Sequence, residues 1–379
     1  MQVLSHNRTR IHTLTSIRAF FTLWVVIHHL NLERYTTDSL IVFIDKYFLH
    51  TGRGVVSFFF FISGFVICYT SKHWQGWKNF LIKRLSRVYP NHWIVSLTLA
   101  GFTFLLPLIN GENLFYYVYK AFLNLSLLQS FVPDRTINFA HNGVTWTLSV
   151  EMFFYLCFIF IQRMESRNVL RLFTAILVAK LCLESLWVFY DINSFAHWLF
   201  FVFPVFRLPE FLLGVLICRL YFKDPGLVSW FKVHPLLIVL LTVLTIGVCR
   251  FFFSPYAIFL YSTIPSIFGL FLLLSCLGYE SDKKNCFNHP FFLFLGDASY
   301  SIYLIHQPIL NGTRRLFQAL DLPMGVGLML SLLAISVIIA VGYYVFIERK
   351  VYSWSVKFLQ KIFGHQVSVS PALSKNTGT

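Results

Sequence analysis

The chain has 379 residues, 57% hydrophobic and 12% charged, with a formal net charge of +15 and a mean hydropathy of +0.67. That balance excludes an ordinary soluble globular domain. The positive residues lie mainly between apolar runs, where orientation during membrane insertion accounts for them, so the charge is no argument for nucleic-acid binding.

The first apolar window, 13–32, follows Arg8 and Arg10 as a signal peptide would, but it lacks a small-residue cleavage site and carries Arg18, His28 and His29. It reads as a retained span. Further windows fall at 55–70, 91–109, 146–162, 170–190, 197–222, 236–253, 257–278, 291–312 and 325–347, which makes about ten helices. The expected fold class is therefore all-α, a polytopic membrane helical bundle of about ten transmembrane helices. The seven cysteines are scattered singly, with neither metal-ligand spacing nor a disulfide-like cluster.

Loop charge orients the bundle. The segment 71–90 carries Lys72, Lys78, Lys83, Arg84 and Arg87 with no acid, as a cytoplasmic loop should. The stretch from Asn113 to Gln129 is apolar but short and interrupted by Lys120 and Asn124. Reading it as re-entrant or interfacial keeps the Arg163–Arg171 loop and the basic C-terminal segment inside, with both termini cytoplasmic. Residues 1–350 form the expected membrane domain and 351–379 a basic, disordered cytoplasmic tail.

Ionisable side chains within spans usually face the bundle interior and mark function. Arg18 and His29 are eleven residues apart, three helical turns, so they share a face about 16 Å apart along the axis. Glu151 and His306 fall at the same outer depth as His29. Each also has a structural reading: His29 as a packing histidine, Glu151 as a helix-end carboxylate, His306 as an interfacial residue. Arg207 and Glu210, three apart on one helix, read as an ion pair. Arg84 and Arg87, with Lys83, either set topology or concentrate donors for a phosphorylated ligand.

The ordered motifs resemble one family. IRAFFTLWVVIHHL at 17–30, FFFFISGF at 58–65, Arg84-Leu85-Ser86-Arg87, WTLSVEMFFYL at 146–156, RLPEFLLGVL at 207–216, LGDASYSIYLIHQP at 295–308 and Phe346-Ile347-Glu348-Arg349 follow the order of the acyltransferase type 3 family of membrane acyltransferases. The match runs from about Thr15 to Arg349.

The resemblance implies a bacterial inner-membrane enzyme, in the stand-alone form without a fused esterase-like domain. It would move an acetyl or other short acyl group from cytoplasmic acyl-CoA, with no metal, to a hydroxyl of a cell-surface or envelope polysaccharide such as lipopolysaccharide or exopolysaccharide. Carried over residue by residue, His29, Glu151 and His306 are the candidate catalytic groups. Arg18, Lys83, Arg84 and Arg87 are the candidate donor-binding groups. In this scheme Glu151 orients the His29 imidazole. A transporter or flippase of a glycan or lipid intermediate would place similar residues in a similar bundle without consuming a thioester, and a noncatalytic scaffold would give no reason to align Arg18 with His29.

Overall fold

The computed structural model describes residues 10–109, 113–187, 194–226, 230–252, 257–280, 282, 285–322 and 325–363. Its helices are α1 (His12–Leu30), α2 (Ser39–Tyr47), α3 (Gly52–Thr70), α4 (Trp77–Ile109), α5 (Leu114–Leu125), α6 (Arg135–Asn138), α7 (Trp146–Ile161) and α8 (Ser166–Trp187). They continue as α9 (Ser194–His197), α10 (Pro204–Lys223), α11 (Pro235–Phe252), α12 (Ala257–Tyr279), α13 (Pro290–Ala319), α14 (Val326–Tyr343) and α15 (Arg349–Phe363). Among the described residues there is no strand, and the fold is an all-α bundle.

Each predicted apolar window falls on a helix, but the number of crossings is less plain than ten windows suggest. Among the described residues three runs combine the length and apolarity of a span outright: Phe195–Lys223, Pro235–Phe252 and Val326–Phe363. Gly54–Thr70, Trp146–Ile161 and Thr263–Tyr279 are apolar but shorter. Helices such as α1, α8 and α13 dilute their apolar character with polar side chains, among them the buried Ser16, Lys180, Glu184 and His306. α5 has 12 residues, about 18 Å of helix, which is too short to cross roughly 30 Å of hydrocarbon. Asn113 caps its start, accepting from the Phe115 amide at 2.9 Å.

Two tight crossings organise the core. α3 packs along α10, and a Cβ on Gly64 would lie 2.0 Å from the Phe211 carbonyl oxygen, while one on Gly214 would lie 2.2 Å from that of Phe61. The two backbones meet there with no room for a side chain. α1 packs along α13 in the same way; a Cβ on Gly296 would lie 2.1 Å from the Thr15 carbonyl oxygen.

The start of α1 is fixed by a carboxylate from elsewhere in the chain. Glu280 accepts from the backbone amides of His12 at 3.0 Å and Thr13 at 2.9 Å and from the Thr13 hydroxyl at 2.8 Å. It thereby satisfies donors the helix leaves open and opposes its positive end. Arg10 adds an ion pair to Asp297 at 3.0 Å. Arg219 of α10 caps α7 from outside, donating to the carbonyls of Ile161 and Met164 at 2.7 Å.

The C-terminal segment departs from expectation. Residues 349–363 form α15, not the start of a disordered tail, because Val356 with Tyr352 and Leu359 packs on Ile82 of α4 at helical spacing. Residues 364–379, the remainder of that expected tail, lie outside the described residues.

A candidate active site of paired histidines above an arginine-lined cavity

His29 sits in the last turn of α1, just before Asn31, whose φ of 61° ends the helix in a left-handed turn. His306 lies in the middle of α13 and is fully buried. The α1–α13 crossing brings the rings together, with His306 Nε2 3.1 Å from His29 Nδ1. The His29 Nδ1 is also 2.9 Å from the Val25 carbonyl oxygen, and the His306 Nδ1 is 3.0 Å from that of Ile302.

A carbonyl can only accept, so the two backbone contacts assign the proton of each neutral ring to Nδ1. The one His29 Nδ1–H is then shared between the Val25 carbonyl oxygen and the His306 Nε2 lone pair, and the basic lone pair of His29 is at Nε2. Such an arrangement can serve a general base, with a second acceptor supporting its orientation and cationic form. Arg314 of α13 donates to the His29 backbone oxygen at 3.1 Å, tying the end of α1 to the same helix.

Pro308 shapes the surroundings. Proline has no N–H, so it leaves the Leu304 carbonyl four residues earlier without its helical donor. Asn142 donates to that carbonyl at 2.7 Å, which anchors the segment before α7 beside His306. Gly143 belongs to the same contact, since a Cβ there would lie 2.8 Å from the Gln307 side-chain oxygen.

On the other side lies a cavity of about 110 Å³. Its wall includes Arg18 from α1, Arg84 and Arg87 from α4, Ser63 from α3, Glu151 and Tyr155 from α7, and Tyr303 from α13. Three guanidinium groups face one carboxylate, so the arginines are in excess and favour an anionic occupant. The volume suits one anionic group or the end of a chain, not a large molecule in its entirety. Arg84 is held by Thr70, to which it donates at 3.2 Å, and by the faces of Phe80 and Tyr155, 5.5 and 5.6 Å from its guanidinium carbon.

Tyr303 joins the two halves. It lines the cavity, its ring centroid is 6.0 Å from that of His306, and Thr147 donates to its hydroxyl at 3.0 Å. Arg18 therefore opens onto the cavity at one level of α1, and His29 meets His306 three turns away on the same helix face.

Two placements differ from the sequence expectation. Glu151 accepts from Tyr155 at 2.5 Å and from Ser63 at 3.5 Å on the arginine side, and the ring that approaches His29 is His306. Lys83 is not part of the cavity wall, although on α4 it lies about 100° from Arg84 and only about 40° from Arg87.

The Arg207–Glu210 pair is present at 3.1 Å with both side chains fully buried. Ser57 and Ser266 add hydrogen bonds at 2.7 and 3.1 Å. Sequence reasoning missed that buried Lys180 and Glu184 of α8 join this cluster electrostatically. It also missed the cavity residues Tyr155, Ser63 and Tyr303, and Glu348, which accepts from Ser301 and lies within electrostatic range of Arg87. Glu348 was legible only as part of a terminal motif.

A family model described as an acyltransferase domain matches residues 11–345. The chain is 24% identical over 332 residues to the acyltransferase MdmB of Streptomyces mycarofaciens, an alignment covering 81% of each protein. No solved structure matches.

Proposed function

Because the chain belongs to the acyltransferase type 3 family of membrane acyltransferases, we propose that it transfers an acetyl or other short acyl group from acyl-coenzyme A to a hydroxyl of a cell-envelope carbohydrate. The observation that carries this reading is the His29–His306 pair placed on the same helix face as Arg18 and its arginine-lined cavity. In this reading the arginine side and both termini face the cytoplasm of a bacterium, and His29 works toward the opposite leaflet.

The division of labour follows from charge. Arg84, Arg87 and Arg18 hold the anionic part of the donor, which a cavity rich in guanidinium groups suits. The acyl-bearing arm extends along α1 toward His29; the rise of about 16 Å from Arg18 to His29 is comparable with an extended pantetheine arm. Glu151, with Tyr155 and Ser63, fixes the cavity wall and keeps the arginines from repelling one another unopposed.

At His29 the Nε2 takes the proton of the acceptor hydroxyl as its oxygen attacks the thioester carbonyl. The imidazolium that forms keeps its Nδ1–H on the His306 lone pair. When the carbon–sulfur bond breaks, the Nε2 proton goes to the departing thiolate, so the products are the ester and free coenzyme A. Transfer through an acyl-His29 intermediate is the competing scheme, and parallel initial-rate lines in place of intersecting ones would favour it.

The test is purified protein in nanodiscs with radiolabelled acetyl-coenzyme A and an extract of envelope glycans. Label appearing in glycan with release of free thiol supports the reading. Movement of a glycan or lipid across the bilayer without thioester consumption contradicts it.

A further inference from the structure

α15 continues the helical run that begins with α14, Val326–Phe363, and its two faces have different characters. Val356, Tyr352 and Leu359 dock on Ile82 of α4. Turned away from that contact are Trp354, Phe358 and Ile362, spaced four apart and 64%, 49% and 58% exposed. The Trp354 and Phe358 rings stack at 5.3 Å. Lys350, Lys357 and Lys361 are also exposed, and at 100° per residue they fall in a second row within about 60° of Trp354. Residues 349–363 contain no Asp or Glu.

An aromatic and aliphatic stripe beside a row of lysines is the pattern of a helix at a lipid surface. The apolar stripe enters the boundary of the acyl chains, and the lysine stems run along it while their ammonium groups stay among the headgroups. The stripe also continues the exposed apolar side chains Ile338, Ile339, Phe346 and Ile347 of the preceding run. α2 and α5 likewise expose large apolar side chains, but each has a single lysine. α15 thus joins a lipid-facing surface to a concentrated and unopposed positive charge.

We propose that α15 is a docking surface for anionic phospholipids, with Lys350, Lys357 and Lys361 holding their phosphate headgroups beside the Trp354–Phe358–Ile362 stripe. The site is separate from the acyl-transfer reading and does not depend on it. It nonetheless lies close to the donor cavity along the chain. α15 begins at Arg349, directly after the buried Glu348, which lies within electrostatic range of Arg87, and it packs on Ile82 of α4, two residues before Arg84.

The test uses the full-length protein in phosphatidylcholine vesicles containing brominated phosphatidylglycerol or brominated phosphatidylcholine. Trp354 emission is isolated as the difference from Trp354→Phe. Phosphatidylglycerol should quench it with an apparent affinity at least about fivefold higher, the effect of roughly one lysine near an anionic surface. The preference should disappear in Lys350→Gln/Lys357→Gln/Lys361→Gln, persist in the corresponding triple arginine variant, and decline with added salt. Equal quenching by the two lipids, an undiminished preference in the glutamine variant, or no quenching by either would overturn the proposal; the last would mean that protein covers the stripe. Displacement by inorganic phosphate beyond that caused by chloride at the same ionic strength would also overturn it, in favour of a soluble phosphorylated ligand.

Discussion

His306 Nε2 lies 3.1 Å from His29 Nδ1, and because a backbone carbonyl of its own helix places the proton of each ring on Nδ1, the contact has a direction: His29 shares its Nδ1–H between Val25 and His306, and His306 accepts. In the proposed mechanism, that buried acceptor supports the cation formed at His29 without placing a permanent charge in the bundle.

The pair should therefore be unequal on mutation. His306→Ala is expected to lower kcat by about 10- to 100-fold while leaving the donor KM within about twofold, as loss of a supporting hydrogen bond would. His306→Gln, which can still accept at its side-chain oxygen, should recover part of that loss. Steady-state kinetics at matched membrane abundance check both.

The arginine cavity should report on the donor. Arg84→Gln and Arg87→Gln are each expected to raise the donor KM about tenfold or more, since hydrogen bonds to charged groups contribute roughly 1.5–3 kcal/mol. Lys83→Gln, outside the cavity wall, should change the donor KM by less than about threefold, in line with a half-buried charge that does not line the cavity. Competitive inhibition by free coenzyme A gives the same comparison without an acceptor.

The buried charges of α10 should behave as a matched pair. Arg207→Met or Glu210→Leu alone leaves an uncompensated charge in the core and should cost roughly 3–5 kcal/mol, with the double variant less damaging than either single one. Unfolding of the detergent-solubilised protein measures the cycle. The network continues into Lys180, Glu184 and Thr263, which donates to Glu184 at 3.0 Å, so recovery in the double variant should be incomplete.

Glycine substitutions should separate the two kinds of site. At Gly64 and Gly214 an added methyl group meets backbone oxygen and nothing flexible can yield, so alanine there should sharply reduce the amount of folded protein. Gly312 and Gly342 have no neighbour within 4 Å of a built Cβ, and alanine there should be neutral or stabilising by up to about 1 kcal/mol. Expression level and thermal melts distinguish these outcomes.

The fold class was legible because hydropathy integrates over a whole span, and each apolar window fell on a helix. The Arg18–His29 alignment was legible because helical phase along one continuous segment needs no tertiary information. Partnership across helices was a different matter. His29, Glu151 and His306 were all read at one depth, but lateral position depends on packing, and the close approach at Gly296 is what brings α13 and His306 against α1. Lys180 and Glu184 escaped notice because an i,i+4 pair of opposite charge disappears within a strongly apolar window. Lys83 was taken with its neighbours because it lies only about 40° from Arg87 in helical phase, and which side chain reaches a cavity is decided by packing between helices.

The most direct test is single-turnover acyl transfer by His29→Ala, measured beside coenzyme A binding to the same preparation. The expected result is intact binding through the arginine cavity with acyl transfer reduced by about a thousandfold or more, the scale of losing a general base. Transfer at near-normal rate from folded His29→Ala protein would contradict the role assigned to the histidine pair.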